Sequence, residues 1–399
     1  MDPIRNPYVP GAGASPKELV GRESLLDDSR TILGRTKLGR TSKSLIFVGL
    51  RGVGKTVLLT EIRRLAEEES YHTCSIEAHE DKTLPALLIP HLRRTLLEFD
   101  RLGALNEHVK RGLRALKSFA NSMKLSYGEI ELSLDIDAEP GTADSGDIEA
   151  DLPDLLFAVG RAAQAREKAV ALFVDELQYL SRRDLSALIM GLHRVVQNGL
   201  PLVLFGAGLP QIIALCGQSK SYSERLFNFP EIAELSLGDF QRALIWPAQD
   251  EGVEFEREAL DFAFEQTRGY PYFVQEWGYT IWNAVSQSPI SLNAVKTASS
   301  LAVDKLDQNF FRVRFDRLTP RERDYLRAMA ELGPGLHRSG DIALALRVSV
   351  QSVAPLRKAL IAKGMIYSPA HGDTAFTVPL FDEFLKRTMP GWDLSRRKP

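Results

Sequence analysis

The spacing of hydrophobic and polar positions divides the 399-residue chain into three stretches of different character. In the first, short apolar runs alternate with longer amphipathic ones. Leu45-Ile46-Phe47-Val48, the segment 72–78, Ala169-Val170-Ala171-Leu172-Phe173-Val174 and Leu202-Val203-Leu204-Phe205 read as strands, and 232–237 is the candidate for the last one. Uninterrupted apolar runs are what strands buried on both faces of a parallel sheet look like. Helical periodicity lies between them at 84–100, 105–123, 152–166 and 184–198; in the last, Leu188, Leu192, Val195 and Val196 line one face. This alternation predicts one α/β domain with a parallel sheet over 19–238.

From Asp239 the strand signals stop. Helical patterns at 239–248, 257–267, 272–287 and 292–311 predict a helical lid domain over 239–316, with Pro271 suited to the first position of its helix. A third stretch follows over 317–389. Thr319 is placed to cap a helix with Pro320 in its first turn, and Ser339 and Ser349 open two short helices around a tight turn. Strand signals at 365–368 and 374–378 then complete a winged-helix pattern, and 390–399 is left as a tail. The Pro- and Gly-rich opening, 1–18, reads as an extended arm. The segment Leu19-Val20-Gly21-Arg22-Glu23 either folds over a nucleotide base or leads into a plain surface helix.

One piece interrupts the α/β pattern. Ile130 to Asp137 alternates with period two, as a strand or hairpin arm with one face in water, and runs into a turn-rich loop. Residues 129–154 hold ten acidic side chains and no basic one. An insertion of this kind, near 125–152, reads first as a solvated face; a docking site for a protein partner is the sharper alternative.

Composition adds limits. Apolar content of 44% and charged content of 26% are those of an ordinary globular protein, and a net charge of −2 announces no nucleic-acid affinity of the whole chain. Two cysteines, Cys74 and Cys216, lack metal-ligand spacing and are expected as buried free thiols. With no charged-apolar-small leader and no apolar run near the roughly 20 residues that span a bilayer, a cytoplasmic protein without membrane contact is expected. Basicity is local: residues 317–398 carry 14 basic and 8 acidic side chains. Arg347, Arg357, Lys358, Lys363, Lys386 and Arg387 suit phosphate contacts, so double-stranded DNA is the expected partner of this module, a protein-only surface the alternative.

The strongest chemical signal is Gly49-Leu50-Arg51-Gly52-Val53-Gly54-Lys55-Thr56, a G-x-x-x-x-G-K-T run between a predicted strand and a predicted helix. The glycines let successive N–H groups turn inward on a polyphosphate, and the helix N-terminus adds partial positive charge. Gly49, Gly52, Val53, Gly54, Lys55, Thr56 and Val57 are thus expected around ATP, with Lys55 at the β- and γ-phosphates and Thr56 on Mg2+. A second signal closes the apolar run 169–174 with Asp175-Glu176, two carboxylates at the sheet edge where open α/β folds bind ligands. Asp175 is the expected partner of Mg2+, Glu176 the general base for an attacking water.

In this order the segments resemble the AAA+ P-loop ATPases, in the branch of origin-recognition initiators and their STAND-like relatives. Gly49 to Thr56 resembles the Walker A motif and Val174-Asp175-Glu176 the Walker B motif. The segment around Val20 resembles the family's N-terminal box beside the adenine, and Gly269-Tyr270-Pro271 its lid turn, which adds Val20 and Pro271 to the expected nucleotide contacts. The resemblance implies an ATPase, for which a nucleotide-dependent homo-oligomer is one assembly among rings, filaments, dimers or none. Arg225 is the first candidate for an arginine finger on a neighbouring copy, a surface or salt-bridged arginine the alternative, and Arg194 the second candidate. Two departures stand out. Gly206-Ala207-Gly208 falls where many relatives place a polar sensor, and Gly-Tyr-Pro stands where many carry a lid arginine, with Arg268 before the glycine. Slow hydrolysis is therefore expected. A DNA-coupled switch, a STAND-type signalling or defence ATPase with protein partners, and a non-hydrolysing scaffold remain the functional alternatives.

Overall fold

Strand β1 (Ser44–Val48) is buried along its whole length, as its apolar run requires, and it lies between two parallel neighbours. The structure, a computed structural model, describes residues 1–11, 13–17, 19–101, 106–124, 137–138, 140–370 and 372–392. The expected period-two strand near 130–137 lies outside the described residues except for Asp137, as do 125–129 and Glu139 of the acidic insertion. The chain divides into two units, 22–48 with 55–231, and 1–21 with 49–54 and 232–399.

The first unit runs α1 (Glu23–Lys37), β1, α2 (Lys55–Glu68), β2 (His72–Glu77), α3 (Leu84–Arg101), α4 (Glu107–Ser122), α5 (Ile148–Ala165), β3 (Val170–Asp175), α6 (Arg182–Gln197), β4 (Leu202–Gly208), α7 (Ile212–Ser219), α8 (Ser223–Leu226) and β5 (Phe227–Asn228). Its sheet has the order β2-β3-β4-β1-β5, every pair parallel. The expected α/β fold with a parallel phosphate-loop sheet is therefore present. Central strands β3 and β4 are buried almost throughout, whereas edge strand β2 alternates, in keeping with one neighbour instead of two. Helix starts follow local chemistry. Asp147 caps α5 by accepting from Glu149 N–H at 3.1 Å, and Ser181 caps α6 by accepting from Asp184 N–H at 3.1 Å. Buried Asp151 accepts from Ser145 and Gly146 N–H at 3.0 and 2.9 Å, which fixes the chain at the start of α5. Both cysteines are free and buried, and burial pushes the Cys74 thiol to about 11 and the Cys216 thiol to about 12.

The last strand differs from expectation. Phe227–Asn228, not 232–237, pairs with β1, and Val48 N–H donates to the Pro230 carbonyl at 3.0 Å. The apolar residues Ile232 and Leu235 are buried, but Leu235 N–H donates to the Gly269 carbonyl at 2.8 Å, and Ser236 accepts from Asp239 N–H at 3.1 Å to start the next helix. Their spacing reflects a buried connecting segment instead of a ladder.

The second unit is mainly helical: α9 (Leu237–Gln249), α10 (Arg257–Thr267), α11 (Pro271–Ala284), α12 (Leu292–Lys305), a π-helical turn at Leu306–Phe311, α13 (Arg312–Asp316), α14 (Pro320–Glu331), β6 (His337–Arg338), α15 (Ser339–Ala345), α16 (Val350–Ala362), β7 (Ile366–Tyr367), β8 (Asp373–Phe376) and α17 (Phe381–Thr388). Thr319 and Glu322 form a complete capping box on α14. The three short strands make an antiparallel sheet of order β6-β8-β7. The opening residues are docked: Asn6 donates to the Tyr279 carbonyl at 3.0 Å, and Val9 N–H donates to Gln275 at 3.0 Å. Gln275, Tyr279 and Asn283 recur every four residues, so one face of α11 receives the arm. Tyr8 is buried there against Gly278 and donates to the Leu244 carbonyl at 2.5 Å.

Candidate nucleotide site

The glycines of the phosphate loop meet two kinds of constraint. A Cβ on Gly49 would lie 2.2 Å from the Ile232 carbonyl oxygen, so backbone approach excludes any side chain. Gly52 and Gly54 have φ of 85° and 92°, the left-handed region that glycine adopts at least cost. The loop 49–54 is held by its own unit. Tyr272 N–H donates to the Gly52 carbonyl at 3.1 Å, and Arg51 N–H donates to the Thr377 carbonyl at 2.9 Å. Pro271, at the first position of α11, sets up the N-terminal turn that carries Tyr272. Tyr272 stacks on Phe310 with ring centres 4.7 Å apart, and the Arg314 guanidinium lies over that ring at 4.0 Å. Burial, with Arg51 nearby, lowers Arg314 to about 10. Val53 and Val20 are buried, and Gly21, at φ 74°, follows Val20 against the Asp239 side chain.

Within the first unit, the start of α2 and the end of β3 lie together. Lys55 is buried at the first position of α2, the Thr56 hydroxyl donates to Asp175 Oδ2 at 2.6 Å, and Val57 is half-buried. Asp175 ends β3. Burial pushes its carboxyl above the ordinary value, against the opposing pull of the Thr56 hydroxyl and Lys55. Glu176 has a left-handed backbone, φ 53°, and its N–H donates to Asp175 Oδ1 at 2.8 Å. Its carboxylate accepts a hydrogen bond from the Gln178 amide, whose oxygen accepts from Leu209 N–H at 3.0 Å. A hydroxyl and a carboxylate in contact form an all-oxygen pair, the donor type that Mg2+ favours. Lys55, Thr56, Asp175 and Glu176 are thus brought together as their motifs suggested.

Other candidates are placed elsewhere. Arg225 is exposed on α8 and makes no ion pair among the described residues. Arg194 is ion-paired with Asp154 and lies 4.7 Å over the Phe157 ring. Within the C-terminal module, Arg347 and Lys358 are exposed. Arg357 instead donates to Ser368 at 2.5 Å and to the Asp373 carbonyl at 3.1 Å, and Lys363 pairs with Glu322 at 2.7 Å. Their charge is used inside the fold. Arg387 pairs with Asp307 at 2.7 Å, while Lys386 is exposed. Sequence reasoning missed Gln178, Tyr272 and Thr377; only Tyr272, directly after the lid turn, lay in a stretch the motifs had marked.

Comparison with known proteins agrees with this geometry. Residues 18–205 match the family described as AAA ATPase domain, and residues 308–385 match a domain of unknown function (DUF8462). No curated protein matches the chain. Among solved structures, the Walker-type ATPase Paby2304 of Pyrococcus abyssi is 17% identical with a TM-score of 0.52, over 93% of this chain and 97% of that one. At that identity the likeness is one of fold. The RuvB Holliday junction branch migration motor of Thermotoga maritima is 15% identical over 96% of this chain and 98% of its own, with a TM-score of 0.44. The ORC1 protein of Aeropyrum pernix, solved in complex with DNA, is 13% identical over 93% and 94%, also with a TM-score of 0.44.

Proposed function

We infer that this chain, whose residues 18–205 match the AAA ATPase domain family, binds ATP with Mg2+, hydrolyses it slowly and uses the nucleotide as a conformational switch. The observation that carries the reading is the 2.6 Å hydrogen bond between Thr56, at the start of the phosphate-loop helix, and Asp175, at the end of a buried strand. In this reading Gly49, Gly52, Val53, Gly54 and Val57 surround the polyphosphate, Val20 and Pro271 lie by the base, and Lys55 reaches the β- and γ-phosphates. Thr56 and Asp175 would hold the metal ion, which when bound would neutralise charge on the phosphate oxygens. Glu176 takes the proton of the attacking water as the new O–P bond forms and ADP leaves. Slow turnover is expected because Gly206-Ala207-Gly208 brings no polar side chain of its own to the end of β4.

The output side of the switch is the module from 317 to 389. Helices α15 and α16 with strands β6, β7 and β8 support a winged-helix reading, and exposed Arg347 and Lys358 would meet the phosphates of double-stranded DNA. Arg225, exposed on α8, would act as the finger on a neighbouring copy in a nucleotide-dependent homo-oligomer. No helix among the described residues is long and apolar enough to cross a membrane, and a cytoplasmic setting is the one we propose. A second reading, protein contact through the same module, is favoured by the exposed Leu336, Leu344, Val348 and Val350 around α15 and the start of α16.

Steady-state ATP turnover with fluorescent-nucleotide binding tests the core of this. Glu176→Gln is expected to lower kcat about 100-fold or more while binding is kept, and Lys55→Ala to weaken binding itself. Unchanged turnover in the first variant rules out Glu176 as the base. Unchanged affinity in the second rules out the phosphate site.

A further inference from the structure

The two glycines at the end of β4 are occupied space. Gly206 pairs in register with Val174, and a Cβ on it would lie 2.4 Å from Leu177 Cδ1. A Cβ on Gly208 would lie 3.0 Å from Gln178 Oε1 and 3.3 Å from Ile212 Cβ. Two consecutive side chains of the short 3-10 turn after β3, Leu177 and Gln178, therefore fill the room that side chains at 206 and 208 would take. Leu177 is buried and serves as filling. Gln178 is polar and bridges.

Its amide is oriented by what it meets. Leu209 N–H is a donor, so it faces Gln178 Oε1, at 3.0 Å; the nitrogen is then left to face the Glu176 carboxylate, to which it donates. A donor on an ionised carboxylate makes a charge-assisted bond, roughly twice as strong as a neutral one. The turn that carries both residues is itself fixed, since Tyr179 N–H donates to the Glu176 carbonyl at 2.9 Å and Leu180 N–H to the Leu177 carbonyl at 3.1 Å. Glu176 holds a left-handed backbone within it, at φ 53°, a conformation that persists only where surrounding contacts over-determine it.

We propose that Gln178 is a positioning residue for Glu176, tying its carboxylate to the main chain at Leu209, just after β4, so that the base is held in one orientation for the attacking water. The inference rests on the reading of Glu176 as general base. Gln178 takes no part in the proton path: the proton passes from water to Glu176, and the glutamine limits the directions in which the carboxylate can face. In this chain a carboxamide from the loop after β3 supplies the polar link between the end of β3 and the residue after β4, and Leu177 and Gln178 occupy the room beside Gly206 and Gly208.

The test uses the full chain with Gln178→Met, which keeps length and loses both bonds, and Gln178→Glu, which keeps an acceptor for Leu209 N–H but sets a second carboxylate against Glu176. Both are expected to lower kcat about tenfold or more while the dissociation constant for ATP stays within about twofold. In a Glu176→Gln background the Gln178→Met change is expected to cost nothing further, because the group it positions is gone. Unchanged or raised kcat in Gln178→Met, beside an inactive Glu176→Gln, overturns the proposal and leaves the base reading intact. An equal loss in both backgrounds assigns Gln178 a purely structural role and also overturns it. Full turnover in Glu176→Gln alone removes the base reading, and this inference with it.

Discussion

The backbone N–H of Arg51, in the phosphate loop, donates to the carbonyl oxygen of Thr377, which follows strand β8 of the C-terminal module, at 2.9 Å. Thr377 is itself fully buried and fixed. Its hydroxyl donates to the Gly364 carbonyl at 2.6 Å, and its N–H donates to the Met365 carbonyl at 3.1 Å. The loop residue is thus bonded to a rigid point of the module, without an intervening side chain, so the loop's shape depends on that point.

Replacing Thr377 by Val keeps the shape and removes the hydroxyl that anchors it, at an expected cost of about 1–2 kcal/mol to the module. The loosened loop must be ordered by the nucleotide, so ATP binding should weaken by about twofold to tenfold. Thr374→Val is the control. Thr374 is equally buried and its hydroxyl donates to the His337 carbonyl at 3.1 Å, within the same small sheet. Thermal melting and nucleotide titration should show both variants less stable and only Thr377→Val weaker in ATP binding; equal affinities would break the link.

Gly49 carries a different expectation. Its added Cβ would meet the main-chain oxygen of Ile232 at 2.2 Å, and backbone, unlike a side-chain tip, cannot turn aside. Gly49→Ala should destabilise by more than about 2 kcal/mol and abolish ATP binding at ordinary concentrations. Gly217, inside α7, has nothing within 4 Å of its added Cβ, so Gly217→Ala should be neutral or stabilising by up to about 1 kcal/mol. Equal melting temperatures for the two variants would show that the Ile232 contact does not constrain the loop.

These residues also mark how far the sequence could be read. Gly49, Gly52, Gly54, Lys55, Thr56, Asp175 and Glu176 were legible because their chemistry depends on fixed spacing along the chain. The central strands were legible because two-sided burial leaves an unbroken apolar run. Strand β5 was not, since a pair of residues, Phe227 and Asn228, carries no periodicity, whereas the buried crossing at Ile232 and Leu235 imitates one. Gln178 means nothing without Leu209, which comes 31 positions later. The basic count likewise hid a division: Arg357 and Lys363 are bound to Ser368 and Glu322 on other elements, and only three-dimensional proximity separates them from Arg347 and Lys358.

The pair of Glu322 and Lys363 should make the C-terminal module sensitive to acid. Glu322 is nearly buried; burial raises its carboxyl, but the hydrogen bonds from Lys363 and Thr319 outweigh that and hold it below the ordinary value. A carboxyl depressed in the native state stabilises the fold above its unfolded value, about 4.3, and loses that contribution as pH falls through the native value. Glu322→Gln should therefore melt below wild type at pH 7, by about 1–2 kcal/mol, with the gap closing as pH falls below about 4. A gap independent of pH would mean that the ion pair contributes nothing.

The division among the basic residues yields the sharpest test of what the module binds. Arg347 and Lys358 are exposed without ion pairs among the described residues, so each can neutralise a phosphate, and each lost contact should lower the slope of log affinity against log salt by about one. Arg347→Gln and Lys358→Gln should therefore weaken DNA binding while melting stays within about 0.5 kcal/mol of wild type. Arg357→Gln and Lys363→Gln should do the reverse, because each leaves an internal partner unsatisfied: lower melting, unchanged slope. Affinity for duplex DNA that does not change with salt, in wild type and all four variants, would remove DNA as the partner. The exposed Leu344 and Val348 would then be the residues to change, since an apolar surface at that turn suits a protein and offers nothing to a phosphate backbone.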